Sequence, residues 1–163
     1  MQTEHIIIRR LAPDEWKLLR DLSIQGIKTD PDAFGDTLET TLNRNETTWR
    51  QWLTEPYIFV AEVEGIPASR ITLRNDPTWE WMINGVWTAP QYRRQGLSNK
   101  LFQEILMIAR EKHIETITIK VNPSQVAACN FYKKLGFKII DKHHRDSTDI
   151  DTYVMKLNIL CAH

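Results

Sequence analysis

Neither sign of charge is in excess: Lys plus Arg number 21 and Asp plus Glu number 21, so the formal net charge is zero. Proteins that hold nucleic acid or a membrane surface by general electrostatics carry a basic surplus, so neither partner is expected. Cysteine is scarce as well. Cys129 and Cys161 are the two present, too few for a disulfide framework. No apolar run nears the roughly 20 residues that a membrane span requires. The early Ile6-Ile7-Ile8 stretch is short and runs into Arg9-Arg10, so no signal-peptide core is expected. Internal repeats, low-complexity tracts and linkers are missing too. What remains at 163 residues is the expectation of one cytoplasmic domain over residues 1–163, large enough to bury a core without disulfides or metals.

The commoner phosphate loops are also absent: there is no Gly-x-x-x-x-Gly-Lys-Ser/Thr and no Gly-x-Gly-x-x-Gly. In their place stands Val86-Trp87-Thr88-Ala89-Pro90-Gln91-Tyr92-Arg93-Arg94-Gln95-Gly96-Leu97-Ser98. Residues 81–88 mix aromatic and β-branched types and suit a strand. Pro90, with no N–H to give, closes it. From Leu97 the apolar positions fall at Leu97, Leu101, Phe102, Ile105, Ile108 and Ala109, the spacing of a helix packed on one face. A helix start has unpaired N–H groups and partial positive charge. Two arginines precede it, Gly96 admits a close ligand and Ser98 adds a small donor, so the pattern predicts a phosphate or pyrophosphate site. A plain solvated helix start is the alternative reading of the same residues.

The rest of the chain supplies a coarse element order. A first strand at 6–8 leads to a helix opening at Pro13-Asp14-Glu15 with Trp16, Leu19, Leu22 and Ile27 as its stripe. A turn-rich stretch at 29–36 follows, then a short helix carrying Trp49, Trp52 and Leu53. Residues 57–63 and 68–74 read as a hairpin across Glu64-Gly65-Ile66-Pro67, and 79–88 as a third strand. Helix 96–112, strand 116–121, helix 124–135 and strands 137–142 and 152–157 complete an α/β (α+β) chain. An antiparallel meander followed by a β-α-β-α-β run implies one mixed, mostly antiparallel sheet of six to seven strands flanked by about four helices.

Two motifs resemble the GNAT superfamily of acyl-CoA-dependent N-acyltransferases. The pyrophosphate loop of that family, Gln/Arg-x-x-Gly-x-Gly/Ala, is matched by Arg93, Gly96 and Ser98, with Ser98 departing from the strict Gly/Ala. Asn122 to Phe137, ending in Tyr132-Lys133-Lys134-Leu135-Gly136-Phe137, is similar to the family's second block. The resemblance implies an N-acetyltransferase with acetyl-CoA as co-substrate and a small-molecule or peptide amine as acceptor, and it leaves room for a homodimer. It also implies roles. The N–H groups of Arg94, Gln95, Gly96, Leu97 and Ser98 would hold pyrophosphate, with Arg93 and Arg94 adding charge. The pantetheine arm would run along Gly85, Val86, Trp87 and Thr88, where a bulge at Gly85 would open the slot and Trp87 would offer an N–H to the carbonyl oxygen. Tyr132 would protonate the leaving sulfur, and Asn122 and Asn130 would touch the cofactor; Tyr132 reads otherwise as a helix tyrosine with a buried ring, Asn122 as the N-cap of helix 124–135 and Asn130 as a surface residue. A non-catalytic CoA sensor of the same fold and an unrelated phosphate-binding α/β domain are the rival readings.

The base is the thinnest part of the pattern. Glu80, between Trp79 and Trp81, is the acid on the strand concerned, with Glu62 the alternative; either serves equally as a surface charge. Asp30-Pro31-Asp32-Ala33-Phe34-Gly35 resembles a stretch beside the acceptor groove in some bacterial members, although Phe34 suits a core plug as well. His143-His144 alternate faces on a strand and lack a third ligand at metal spacing, so no metal is expected. Cys129 reads as a small buried residue rather than a nucleophile, and Cys161 as part of a frayed tail. Trp49 and Trp52 read as core rather than as an acceptor lining.

Overall fold

The computed structural model describes residues 3–145 and 150–161. Seven strands form one sheet: β1 (Ile6–Arg10), β2 (Tyr57–Val63), β3 (Ile66–Asp76), β4 (Glu80–Thr88), β5 (Thr116–Val121), β6 (Lys138–Arg145) and β7 (Ile150–Asn158). Their spatial order is β1-β2-β3-β4-β5-β7-β6. The β4–β5 pair is parallel and the others are antiparallel, as the meander and the later crossovers predict. The helices are α1 (Trp16–Thr29), α2 (Leu38–Asn43), α3 (Glu46–Gln51), α4 (Leu97–Glu111) and α5 (Val126–Leu135).

Both faces of the central sheet are covered, and the alternation along β2 shows how. Phe59, Ala61 and Val63 join α4's Leu101, Phe102 and Ile105 in one cluster. Ile58 and Val60 join α1's Leu19 and Leu22 and α3's Trp49 in the other. Successive strand side chains point to opposite faces, so the two clusters are the two sides of one sheet. The β2–β3 hairpin closes through Glu64 (φ 50°) and Gly65 (φ 78°), the left-handed pair that a tight hairpin demands.

One element has no counterpart in the sequence reading. Residues 38–43 form α2, capped by Thr37 Oγ1 accepting from the Thr40 N–H at 3.1 Å. It buries only Thr41, so it offers no apolar stripe to detect; the cap is its sequence signal. Trp52 also differs from expectation. Trp49 is fully buried, whereas Trp52 is 39% exposed, edge to face with Trp49 and under Arg44. The side chains of His144 and Cys161 lie outside the described residues.

Candidate active site

The site is built where β4 leaves its neighbours. β3 and β4 pair at Thr72↔Asn84 and again at Arg70↔Trp87. Ile71 therefore faces two residues, Gly85 and Val86, which is a β-bulge. Gly85 has φ 59°, the left-handed conformation that a glycine supplies at the first bulge position. One extra residue also switches faces. Ile83 packs with the α4 cluster, while Trp87, four residues on, packs with the α1–α3 cluster.

On its other side β4 meets β5 only at Met82↔Thr118 and Ile83↔Ile119. Beyond Ile83 the two strands part, so one edge of residues 84–88 is left without a strand. Ala89 N–H donates to Ala68 O at 2.8 Å. Because hydrogen-bonded pairs alternate along an antiparallel ladder, Arg70–Trp87 is the next such pair and the Trp87 N–H faces β3. The N–H groups that face the gap are those of Val86 and Thr88. The Trp87 N–H, expected to serve as the oxyanion donor, is thus turned toward β3 and away from the gap.

At the open end of the gap lies the start of α4. Gly96 holds φ 77° as its N-cap, and a Cβ there would meet nothing within 4 Å. The loop is a shallow open cradle with the first N–H groups of α4 around it. Arg94 is exposed with φ 63°, Gln95 is exposed, and Leu97 is buried as the anchor of the helix. The Ser98 hydroxyl meets Thr88 Oγ1 at 3.2 Å, and Thr88 meets Ser69 Oγ at 2.7 Å. That chain of hydroxyls ties the cradle to the sheet.

Arg93 is exposed but engaged by other residues of the chain. Its Nε donates to Thr88 O at 3.0 Å and its Nη2 to Asp30 Oδ2 at 2.5 Å. Asp30 also accepts from Trp87 Nε1 at 3.2 Å, and Thr29 Oγ1 accepts from the same indole at 2.9 Å. The end of α1, the bulged strand and the arginine loop are therefore joined at one carboxylate. Asp30 opens the Asp-Pro-x-Ala-Phe-Gly stretch singled out in the sequence, but nothing in that stretch signalled its pairing with Arg93 and Trp87.

Tyr132 is 4% exposed, its ring between Phe131 and Phe137 at 5.4 and 5.6 Å. Burial raises its phenol above the ordinary tyrosine range, with Cys129 adding to the effect, so the hydroxyl stays protonated. Asn122 follows β5; its Oδ1 accepts from the Ser124 N–H at 2.9 Å, closing the turn into α5, while Gln125 is the helix N-cap. Asn130 lies on α5 with its side chain exposed. Cys129 is buried, burial raises its thiol above the ordinary value, and its Sγ points at Asn122 O, as expected of a structural cysteine.

The two candidate bases stand elsewhere. Glu80 is exposed at the β3–β4 turn, opposite Asp76 and with φ 64°. It precedes Gly85 by a strand length of roughly 17 Å. Glu62 lies on β2 and accepts from Arg9 Nε at 2.9 Å. Glu80 thus lies at the end of β4 away from the bulge, and Glu62 lies two strands away from β4. Phe34 is half-buried and packs on Gly26, where a Cβ would collide with its ring, which is the core-plug reading. His143 pairs with Asp141 at 3.1 Å on an exposed part of β6, and among the described residues no three His, Cys, Asp or Glu cluster as a metal site.

Sequence reasoning missed one buried charge. Arg70 sits in the alternating arm 68–74, where the face shared with Thr72 and Arg74 looks solvated. Cover by α1 instead buries it, and burial lowers its guanidinium to about 10.

A family model described as the acetyltransferase (GNAT) family matches residues 25–137. An N-alpha-acetyltransferase of Sulfurisphaera tokodaii is 30% identical over 118 residues, 62% of this chain and 68% of that protein. The GCN5-related N-acetyltransferase 6, chloroplastic, of Arabidopsis thaliana is 30% identical over 74 residues, 45% of this chain. That match spans 26% of the plant protein's length. Among solved structures, yncA of Salmonella typhimurium, with its cofactor acetyl-CoA, shares the fold at a TM-score of 0.76 and 16% identity, over 95% of this chain and 94% of that one.

Proposed function

This chain belongs to the acetyltransferase (GNAT) family, and from that premise we propose that it moves an acetyl group from acetyl-CoA directly onto a primary amine of a small molecule or peptide. The observation that carries the reading is the parting of β4 from β5 after Ile83, with the Gly96 cradle at the open end. A donor with a diphosphate head and an extended amide arm fits that shape. Space at Gly96 admits the phosphates, the free edge at Val86 and Thr88 offers strand-like pairing to the arm, and Tyr132 lies in the core cluster that also holds Ile83 and the first turns of α4.

The donor supplies an activated thioester. The protein's residues do the rest. The N–H groups at 96–98 and the dipole of α4 hold negative charge. The Val86 N–H faces the position where charge builds on the carbonyl oxygen. Tyr132, held protonated by burial, donates a hydrogen bond to the departing sulfur, whose thiol pKa of about 8.5 already makes it a fair leaving group. With Glu80 at the far end of β4 and Glu62 held by Arg9, proton loss from the amine passes to water.

The test is a thermal-melt series with acetyl-CoA, CoA and ATP, followed by a thiol-release assay across amines. Ligand at about 100 times its dissociation constant adds roughly 2.7 kcal/mol, a shift of several degrees. A shift with acetyl-CoA and CoA but not ATP, plus thiol release that requires an amine, supports the reading. No shift with either CoA form removes it, and binding without turnover on any amine leaves a sensor instead.

A further inference from the structure

One charged group lacks the partner that its burial demands. Arg70 on β3 is 7% exposed. Nη1 donates to Ser23 Oγ on α1 at 2.6 Å, and Nη2 reaches Thr72 Oγ1 only at 3.4 Å. Nε has no acceptor, and no carboxylate pairs with this guanidinium among the described residues. A guanidinium offers five N–H donors in a flat fork that matches a carboxylate. Buried charge left unpaired is costly, and such a cost persists where function repays it.

The fork is aimed at the bulge. A Cβ on Gly85 would collide with Nη2 and stand 3.0 Å from Cζ, so the glycine is needed for the arginine as well as for the bulge. The surface above is open: Asn84, register partner of Thr72, is exposed, and Gly85 and Val86 are half-buried. The guanidinium therefore lies just beneath the point where β4 parts from β5.

Building on the acetyl-transfer reading above, we infer that the acceptor is a small amino acid whose free carboxylate pairs with Arg70 while its amine meets the thioester beside the bulge. Carboxylate and amine have to lie close together, because Gly85 and Val86 are neighbours; one carbon separates the two groups in an α-amino acid. A polyamine or a lysine side chain in a protein brings no anion to that place, and a peptide N-terminus brings an amide. In the transfer, the amine nitrogen bonds to the acetyl carbon and the carbon–sulfur bond breaks. One amine proton goes to water, the thiolate departs with the bonding pair, and Arg70 holds the acceptor without changing its own state.

The deciding experiment uses the unmodified protein. Thiol release from acetyl-CoA is measured with the free amino acids, each beside its carboxamide and a dipeptide that starts with the same residue. The expected result is turnover of at least one free amino acid, with kcat/KM roughly 100-fold lower or worse for its carboxamide and dipeptide, because the arginine is left unpaired. Equal or faster reaction of the carboxamide or the dipeptide overturns the inference, as does acetyl-CoA binding with no free amino acid accepted. Failure of acetyl-CoA to shift the melt would instead remove the transfer reading, and this inference with it. Arg70→Lys keeps the charge but loses the fork. It raises the KM for the amino acid by about tenfold with the acetyl-CoA KM unchanged, and an unchanged amino-acid KM overturns the assignment.

Discussion

Burial holds the Tyr132 phenol protonated, and its structural work is done by the ring, which packs between Phe131 and Phe137. Tyr132→Phe keeps that ring packing and therefore leaves the melting temperature within about 1 °C. The same change lowers kcat roughly tenfold to 100-fold with the KM for acetyl-CoA little altered. Full turnover at saturating acceptor would exclude Tyr132 as the donor to sulfur. Its position was legible because a tyrosine three residues before Leu135 closes a recognisable block. Arg70 was not legible. Alternation assigns it to a face but cannot tell whether a helix from elsewhere in the chain covers that face.

At the scale of elements, the start of α4 carries two predictions. Gly96 combines φ 77° with open space around it, so Gly96→Val strains the backbone by about 1–2 kcal/mol and fills the cradle. The acetyl-CoA dissociation constant then rises roughly tenfold or more, which calorimetric titration reads directly. Unchanged affinity would mean that phosphate does not rest there. The second concerns Arg93, which the sequence offers to the cofactor and the structure binds to Asp30. Their side chains are 45% and 27% exposed, and a pair that wet contributes little stability. Asp30→Asn accordingly lowers the melting temperature by no more than a few degrees. It also frees Arg93 and removes a nearby negative charge, so acetyl-CoA binds a few-fold more tightly at low salt, with the gain shrinking as salt is raised. Weaker binding would show instead that Asp30 is needed to hold Arg93 in place.

For the molecule as a whole, the edge at β1 sets part of the acid response. Arg9 donates to Glu15 at 2.6 and 2.8 Å and to Glu62 at 2.9 Å, and its hydrogen bonds hold the Glu15 carboxyl below the ordinary value of 4.5. A carboxyl depressed in the folded state contributes stability that is present above its unfolded pKa and lost as pH falls through the folded one. Melting temperature should therefore fall as pH drops below about 4.5, and Glu15→Gln should flatten that part of the curve while lowering stability at neutral pH. A variant as acid-sensitive as the parent would show that this cluster does not govern the response.

The sequence by itself determined the strand order, the helices other than α2, the meander, the hairpin turn beginning at Glu64-Gly65, the start of α4 after Gly96 and the two motif blocks. Each of these rests on local physics: periodicity, turn chemistry and caps are properties of neighbours in the chain. Tertiary structure alone decided what depends on strands meeting across distance. It set the two-against-one pairing at Gly85-Val86, the parting of β4 from β5, the capture of Arg93 by Asp30, the retirement of Glu80 to a far turn and the burial of Arg70 under α1. A strand's alternation names its two faces, but what packs on each is contributed by residues dozens of positions away, and that contribution makes Arg70 a buried fork rather than a surface charge.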